Sequence, residues 1–108
     1  MTTEQKKRAL RAQINALKAI QFTYKDSKRT GDPYTLGVAN DQYAIRIYQT
    51  GGKSSKGLKK DGSAEDFRFF YLEDIDNIEE LVVQFDIHKA YKTNDESFEK
   101  IDTQVKYG

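Results

Sequence analysis

Several residue types that often decide a protein's chemistry are missing from this 108-residue chain or occur only once. Cysteine is absent, which excludes a disulfide framework, a thiolate zinc site and a cysteine nucleophile. Tryptophan is also absent, and the single histidine, His88, has no second histidine with which to complete a metal site or a catalytic triad. No apolar run is long enough to span a bilayer, and the charged stretch Met1–Leu10 has no hydrophobic signal-peptide centre. We therefore expect a cytoplasmic protein without a membrane partner.

The motifs of the common catalytic and metal sites are incomplete as well. Gly52-Lys53-Ser54 resembles the end of a phosphate-binding loop, but the glycine required five residues earlier is Ile47. The acidic run Glu73–Glu80 lacks the spacing and the central glycine of a calcium loop. No nucleophile–base pair stands out. We therefore predict a protein that is not an enzyme and that uses no metal and no cofactor.

The charge of the chain is small in total but unevenly spread. The formal net charge is +1, yet residues 1–60 hold 13 Lys/Arg and 4 Asp/Glu, whereas residues 61–108 hold 5 and 13. This asymmetry indicates a basic surface for an anionic partner beside an acidic surface. In the alternative interpretation, folding interleaves the two halves and the opposite fields cancel.

A helix and then a series of strands follow from the periodicity of the sequence. Thr2-Thr3-Glu4-Gln5 fits a capping box, and Leu10 and Ile14 follow at helical spacing, which predicts a helix over Thr3–Lys18. Beyond it, apolar residues alternate with polar ones, which is typical of half-buried strands. The predicted strands are Ile20–Tyr24, Tyr34–Val38, Tyr43–Tyr48, Phe67–Leu72 and Ile78–Phe85.

The segments between the strands are rich in turn residues. Asp26–Pro33 and Gly51–Ser63 are predicted to be loops, the second one mobile and basic, and Glu96–Thr103 is predicted to form a short C-terminal helix. Few helical residues separate the strands, which excludes a parallel sheet and favours a small, bent antiparallel barrel. We expect one domain over residues 1–108, with the helix in 1–18, the barrel in 19–86 and a tail in 87–108.

Basic and aromatic side chains form the most informative set of candidate site residues. Guanidinium groups bind phosphates through two parallel hydrogen bonds, and aromatic faces stack on bases. The candidate ligand-binding residues are Arg29, Tyr34, Tyr43, Arg46, Tyr48, Lys53, Lys56 and Arg68. In the alternative interpretation, the tyrosines are core residues and the lysines only keep the protein soluble.

Arg46 is the member of this set with the strongest argument for a ligand. The alternation that places Ile45 and Ile47 on one face places Arg46 on the other, so we expect it to be exposed to water. Arg68 begins the next strand, so the two arginines are expected to converge on one phosphate or base edge. Replacing Arg46 is then expected to weaken binding with little loss of stability.

Four blocks of the sequence resemble a known family, the WYL domain. They are Ile20-Gln21-Phe22-Thr23-Tyr24, Arg29-Thr30-Gly31-Asp32-Pro33-Tyr34-Thr35-Leu36, Gln42-Tyr43-Ala44 and Arg68-Phe69-Phe70-Tyr71-Leu72-Glu73-Asp74-Ile75. Their order and spacing resemble that family over residues 10–85. Gln42-Tyr43-Ala44 keeps only the tyrosine of the family's Trp-Tyr-Leu, and Asp74 stands where the family usually has an arginine.

The resemblance implies an SH3/Sm-like antiparallel β-barrel and a ligand-sensing role. WYL domains are ligand-sensing modules of bacterial regulators of DNA damage and phage defence. The resemblance implies that the ligand is a nucleic acid or a nucleotide. The single N-terminal helix leaves no room for a helix-turn-helix, so the chain is expected to bind without reading a promoter, as a stand-alone form from a bacterium or a phage. The leading hypothesis is a non-catalytic module for single-stranded nucleic acid or a nucleotide. The alternative is a protein-interaction or accessory module that modulates a partner enzyme or self-associates.

Overall fold

The computed structural model describes residues 1–52 and 67–106, which fold mainly as antiparallel β-structure with one N-terminal helix. The helix is α1 (Thr3–Ala16), and the strands are β1 (Lys18–Tyr24), β2 (Ser27–Ala39), β3 (Gln42–Gly52), β4 (Phe67–Tyr71), β5 (Ile75–Gln84) and β6 (Lys100–Gln104). A 3-10 turn at Leu72–Asp74 joins β4 to β5. Within the described ranges, no helix is long and apolar enough to cross a membrane.

Helix α1 begins at the predicted capping box. The amide of Gln5 donates to Thr2 Oγ1 (3.1 Å), and the amide of Thr2 donates to Gln5 Oε1 (2.8 Å). The helix ends two residues earlier than predicted, because Leu17 adopts a left-handed conformation (φ 56°) and Lys18 already belongs to β1. Its buried face includes Leu10 and Ile14, as the helical spacing predicted.

Two tight hairpin turns set the register of the first three strands. Lys25 and Asp26 join β1 to β2, Asn40 and Asp41 join β2 to β3, and all four residues have positive φ values between 48° and 62°. Two successive residues of this kind are typical of the two-residue turn whose twist matches that of the flanking strands. The predicted loop over Asp26–Pro33 is therefore wrong, because the turn needs only two residues and the polar run that follows pairs with both neighbouring strands.

Strand β2 is the centre of the sheet. One edge of β2 pairs with β3 along most of its length, whereas the other edge pairs first with β1 and then, over Thr35–Val38, with β6. The strand order is β4-β3-β2-β1-β5, and β4 and β5 do not pair with each other among the described residues. The predicted antiparallel sheet is confirmed, but it is open and does not close into a complete barrel.

The predicted C-terminal helix over Glu96–Thr103 is wrong, because residues 100–104 form strand β6. Phe98 and Ile101 have helical spacing, but Phe98 packs on Phe69 with 5.5 Å between ring centroids, and Ile101 lies opposite Gly37 of β2. Gly37 permits this pairing, since a Cβ atom at this position would overlap the carbonyl oxygen of Lys100.

The ladder between β1 and β5 opens near the end of β5. Lys18 pairs with Gln84 and Ile20 pairs with Glu80, so three residues of β5 lie opposite one residue of β1. The side chain of Gln13, from α1, fills this opening by donating to the carbonyl oxygens of Ala19 (2.7 Å) and Leu81 (2.8 Å). Leu81, Val83 and Phe85 alternate in the predicted strand Ile78–Phe85, but Val83 is exposed because the register is irregular here.

Candidate anion-binding site

Arg46 is not the exposed residue that its strand position predicted. Its Nε donates to Asp95 Oδ2 (2.8 Å), its Nη2 donates to Ser97 Oγ (2.9 Å), and its guanidinium lies 5.1 Å from the centre of the Phe69 ring. In the β3–β4 ladder, Arg46 lies opposite Phe69 while Arg68 lies opposite Ile47. The two arginines are therefore on opposite faces of the sheet, and their expected convergence is wrong.

Tyr34 and Tyr48 belong to a buried aromatic cluster. The ring of Tyr34 lies 4.6 Å from that of Tyr91 and 5.2 Å from that of Phe85, and the ring of Tyr48 lies 3.7 Å from that of His88. The hydroxyl of Tyr34 accepts a bond from the amide of His88 (3.0 Å), and burial raises the pKa of this hydroxyl above its usual range. These two tyrosines hold the segment after β5 against the sheet and offer no open ring face to a base.

Tyr43 lies between α1 and β6. Its hydroxyl donates to Asp102 Oδ2 (2.8 Å), and the Lys7 ammonium lies 4.0 Å from the centre of its ring. Arg11 donates two bonds to the same carboxylate (2.8 and 2.7 Å), and these bonds lower the pKa of Asp102 well below its usual range. Tyr43 thus takes part in an ion-pair network that fastens the helix to the last strand.

Arg29 and Arg68 are the two predicted site residues that the fold brings together. Arg29 lies directly opposite Phe22 of β1, and Arg68 lies opposite Ile47 of β3, two residues before Phe70. Directly opposed residues of an antiparallel pair share a face, so both arginines lie on the face that carries the main core. The rings of Phe22 and Phe70 are in contact at 5.3 Å, which places the two arginines at the same end of that core. We call this pair the Arg29–Arg68 site.

The guanidinium of Arg29 has fewer polar partners than it can use. It lies 4.7 Å from the centre of the Tyr24 ring, and its Nη1 makes one long bond to Gln49 Oε1 (3.4 Å). Its Nε is buried without a hydrogen-bond partner, and no carboxylate of the described residues pairs with it. Burial first, and then the positive charge of Arg68, lower the pKa of Arg29. The site therefore holds two like charges in partly desolvated surroundings.

Tyr24 and Gln49 complete the site, although neither was among the predicted ligand-binding residues. The dipeptide Lys25-Asp26 could have indicated Tyr24, because a two-residue turn at that point brings Arg29 opposite β1, the strand that ends at Tyr24. Gln49 is fully buried, and no pattern in the sequence distinguishes it from an exposed strand residue.

The predicted mobile loop lies largely outside the described residues, and so do Lys53 and Lys56. The described residues at either side of it are at the Arg29–Arg68 site. Gly52 pairs with Arg29, and Phe67 directly precedes Arg68. The two described residues that flank the lysine-bearing segment 53–66 therefore lie beside the two arginines.

A cavity of about 490 Å³ lies on the opposite face, between Arg46 and the segment 90–96. Phe67 and Tyr91 form part of its wall. Its charged lining residues are Arg46, Lys92, Asp95 and Glu96. Because these are two cations and two carboxylates, the cavity offers no excess of positive charge to a phosphate.

Comparison of the chain with protein-family models, curated proteins and solved structures finds no match. The resemblance to the WYL domain therefore rests on the four sequence blocks and remains a hypothesis. The site consists of an arginine to which no described carboxylate is paired, a second arginine, a tyrosine ring and a buried glutamine.

Proposed function

We propose that this protein is a non-catalytic module that binds a phosphate-bearing ligand, either a nucleotide or the backbone of single-stranded nucleic acid, at the Arg29–Arg68 site. The observation that carries the proposal is the environment of Arg29, a half-buried cation that lies beside a second cation and has no carboxylate partner within residues 1–52 and 67–106. A bound anion would remove the repulsion between the two charges and satisfy the unused N–H donors. Hydrogen bonds between charged groups each contribute about 1.5–3 kcal/mol.

The tyrosine ring supports a nucleotide or a nucleic acid rather than a simple inorganic anion. Contact with the Tyr24 ring restricts the Arg29 guanidinium to few orientations, which reduces the entropy lost when it binds a phosphate. Lys25 lies beside the same ring, with its ammonium 5.3 Å from the ring centre. Aromatic and basic side chains together are typical of surfaces that bind single strands.

We further propose that the fold is similar to SH3/Sm-type barrels and that the protein belongs to the WYL family. Its proposed role is regulatory and connected with phage defence, in the cytoplasm of a bacterial or infected cell. Their support is the four sequence blocks, two of which contribute Arg29 and Arg68 to the site.

A polarisation titration with fluorescein-labelled oligo(dT) and oligo(U) tests the proposal directly. The variants are Arg29→Gln and Arg68→Gln, and the matched control is Arg8→Gln, which removes the same charge from an exposed position on α1. We expect each site variant to weaken binding about tenfold or more, since a charge-assisted hydrogen bond is lost. The slope of log Kd against the logarithm of the salt concentration should decrease by about one for each phosphate contact removed.

The outcomes of the titration also separate the possible ligands. If ATP displaces the oligonucleotide and inorganic phosphate at the same ionic strength does not, the site recognises nucleotides or single strands and not phosphate alone. Equal loss of affinity in Arg8→Gln and Arg29→Gln would show that binding follows net charge, and the assignment of the site would then be wrong. Failure of every probe to bind would reject the proposed function.

A further inference from the structure

Strand β5 forms one edge of the open sheet. Among the described residues it pairs with β1 alone, over Ile75–Gln84. An edge strand presents a row of backbone N–H and C=O groups that another extended chain can pair with, and natural proteins usually keep such edges short or protect them with lysine or proline. β5 is ten residues long and contains neither residue type.

The exposed apolar residues of the described part of the chain gather at this strand. Val82 is 85% exposed and Val83 is 62% exposed, both in the segment where the ladder with β1 opens. The third large exposed apolar residue, Met1, lies at the other end of β5, where its ammonium is 3.7 Å from Asp76. A groove of about 420 Å³ lies alongside, lined by Met1, Gln5, Arg8, Ala9, Ile78 and Glu80.

The same strand and the residues that flank it carry a dense negative charge. Residues 73–86 contain six acidic residues and no Lys or Arg, and all six side chains are exposed. They are Glu73, Asp74, Asp76, Glu79, Glu80 and Asp86. Only Asp76 forms an ion pair within the described residues, with the N-terminal ammonium. The segment therefore combines an open backbone edge, exposed valines and five acids that form no ion pair within the described residues.

The charge decides what kind of chain fits this edge. In a dimer with two-fold symmetry, β5 would lie against β5 of the second copy, and the acids of the two strands would face each other. Like charges on opposed strands destabilise a ladder. We propose that the β5 edge binds an extended segment of a partner protein in which basic residues alternate with apolar ones, and that this segment adds a strand to the sheet.

Each part of the edge has a role in that complex. The backbone of the added strand pairs with β5 and supplies affinity, while alternate side chains supply specificity. The apolar side chains of the partner would cover Val82 and Val83 and enter the groove beside Met1. Its basic side chains would face Glu79, because Glu80 is the next residue of the ladder, lies on the other face and lines the groove. This proposal does not depend on the Arg29–Arg68 site, because β5 contributes no residue to that site.

A labelled peptide of about eight residues in which valine and lysine alternate is the direct probe, since strands of this length are typical. We expect saturable binding in a polarisation titration, with NMR shift changes concentrated in the amides of Ile78–Gln84. Two control peptides test the two parts of the proposal. Glutamate replaces lysine in one, and alternate backbone nitrogens are methylated in the other. Equal binding of either control peptide, or no binding of the lysine peptide, would overturn the proposal.

Variants of the protein locate the interaction. Glu79→Gln should weaken binding about threefold, as loss of an exposed ion pair does, whereas Asp41→Asn in the β2–β3 turn should have no effect. Val83→Lys should abolish binding, because it removes apolar contact and adds a repelling charge. Arg29→Gln should bind the peptide normally, even if it has lost the oligonucleotide. A stable dimer in sedimentation that Val83→Lys dissociates would show instead that a second copy occupies the edge.

Discussion

The surroundings of Arg29 are unfavourable for the folded protein. Its Nε is buried without a partner, and its neighbour Arg68 carries the same charge. Buried polar groups without hydrogen bonds destabilise a folded protein by about 1–3 kcal/mol each.

The first prediction follows for the stability of the Arg29→Gln variant. Glutamine keeps contact with the Tyr24 ring but removes the buried charge, so the melting temperature should be unchanged or higher while oligonucleotide binding is lost. Thermal melts followed by circular dichroism, without ligand, test this. A clear fall in melting temperature would identify Arg29 as a residue that the fold itself requires.

Asp32 supplies a second prediction, concerning pH. It is 5% exposed, and Nε2 of His88 lies 3.8 Å from Asp32 Oδ2. Burial raises the pKa of Asp32 to about 6. The carboxyl group of Asp32 thus binds a proton more tightly in the folded protein than in the unfolded chain. The protonated carboxyl group stabilises the folded protein below about pH 4, and this stabilisation is lost as the pH rises through about 6.

Asp32→Asn should therefore be more stable than the natural protein at neutral pH, by up to about 3 kcal/mol, since each pKa unit corresponds to about 1.4 kcal/mol. Denaturant unfolding of both proteins at several pH values gives the difference, which should shrink towards about pH 4. The same measurement on His88→Gln shows whether the imidazole contributes to the pH dependence of stability. A difference that does not vary with pH would mean that Asp32 titrates normally in the folded state.

At the scale of elements, the segment 85–99 contains neither helix nor strand and depends on a few side chains for its position. The Arg46–Asp95 ion pair is one of them, with side-chain exposures of only 20% and 18%. The third prediction is that Arg46→Ala destabilises the protein, by about 1–3 kcal/mol, instead of leaving stability unaffected as strand alternation indicated. A double-mutant cycle with Asp95→Ala measures the coupling, and Arg46→Lys should restore only part of it. Additive effects of the two alanine variants would show that the pair contributes nothing.

The pairing of β2 with β6 gives the fourth prediction. A methyl group at Gly37 would overlap the carbonyl oxygen of Lys100 and crowd the Phe98 ring, so Gly37→Ala should separate β6 from the sheet. Amide hydrogen exchange should accelerate in Lys100–Gln104 and remain slow in β1. The matched control is Gly51→Ala, where the added methyl meets only the Thr30 side chain at ordinary contact distance. Unchanged exchange in β6 would contradict the proposed role of Gly37.

At the scale of the whole molecule, one contiguous core receives residues from α1, from the first five strands and from the tail. Leu10 of the helix, Phe22 of β1, Ile45 of β3, Ile78 of β5 and Val105 all belong to it. The fifth prediction is therefore a single cooperative unfolding transition, as is usual for small domains. Circular dichroism and tyrosine fluorescence should give coincident curves in urea. Separate midpoints would show that the open sheet unfolds in parts.

How much of this could be predicted depends on the distance along the chain over which each contact forms. The capping box at Thr2 and the burial of Ile45 and Ile47 are local or periodic, and both are confirmed. The partner of Arg46 is 49 residues away, and strand β6 exists because of a distant glycine, so no local pattern revealed either. The Arg29–Arg68 site lies between these cases: both residues were predicted, but a turn and two ladders were needed to bring them together.

Gly52 and Phe67, which flank the segment 53–66, lie at the Arg29–Arg68 site, and this has a consequence for affinity. The segment contains four lysines, none of them more than seven residues from Gly52 or Phe67 along the sequence. Seven residues span at most about 25 Å when fully extended, which limits the distance between any of these lysines and the nearer flanking residue. A tether of this length corresponds to an effective concentration on the order of millimolar. A phosphate chain already held by the arginines would therefore meet the lysines as intramolecular partners, and even weak contacts with them would lengthen its residence time.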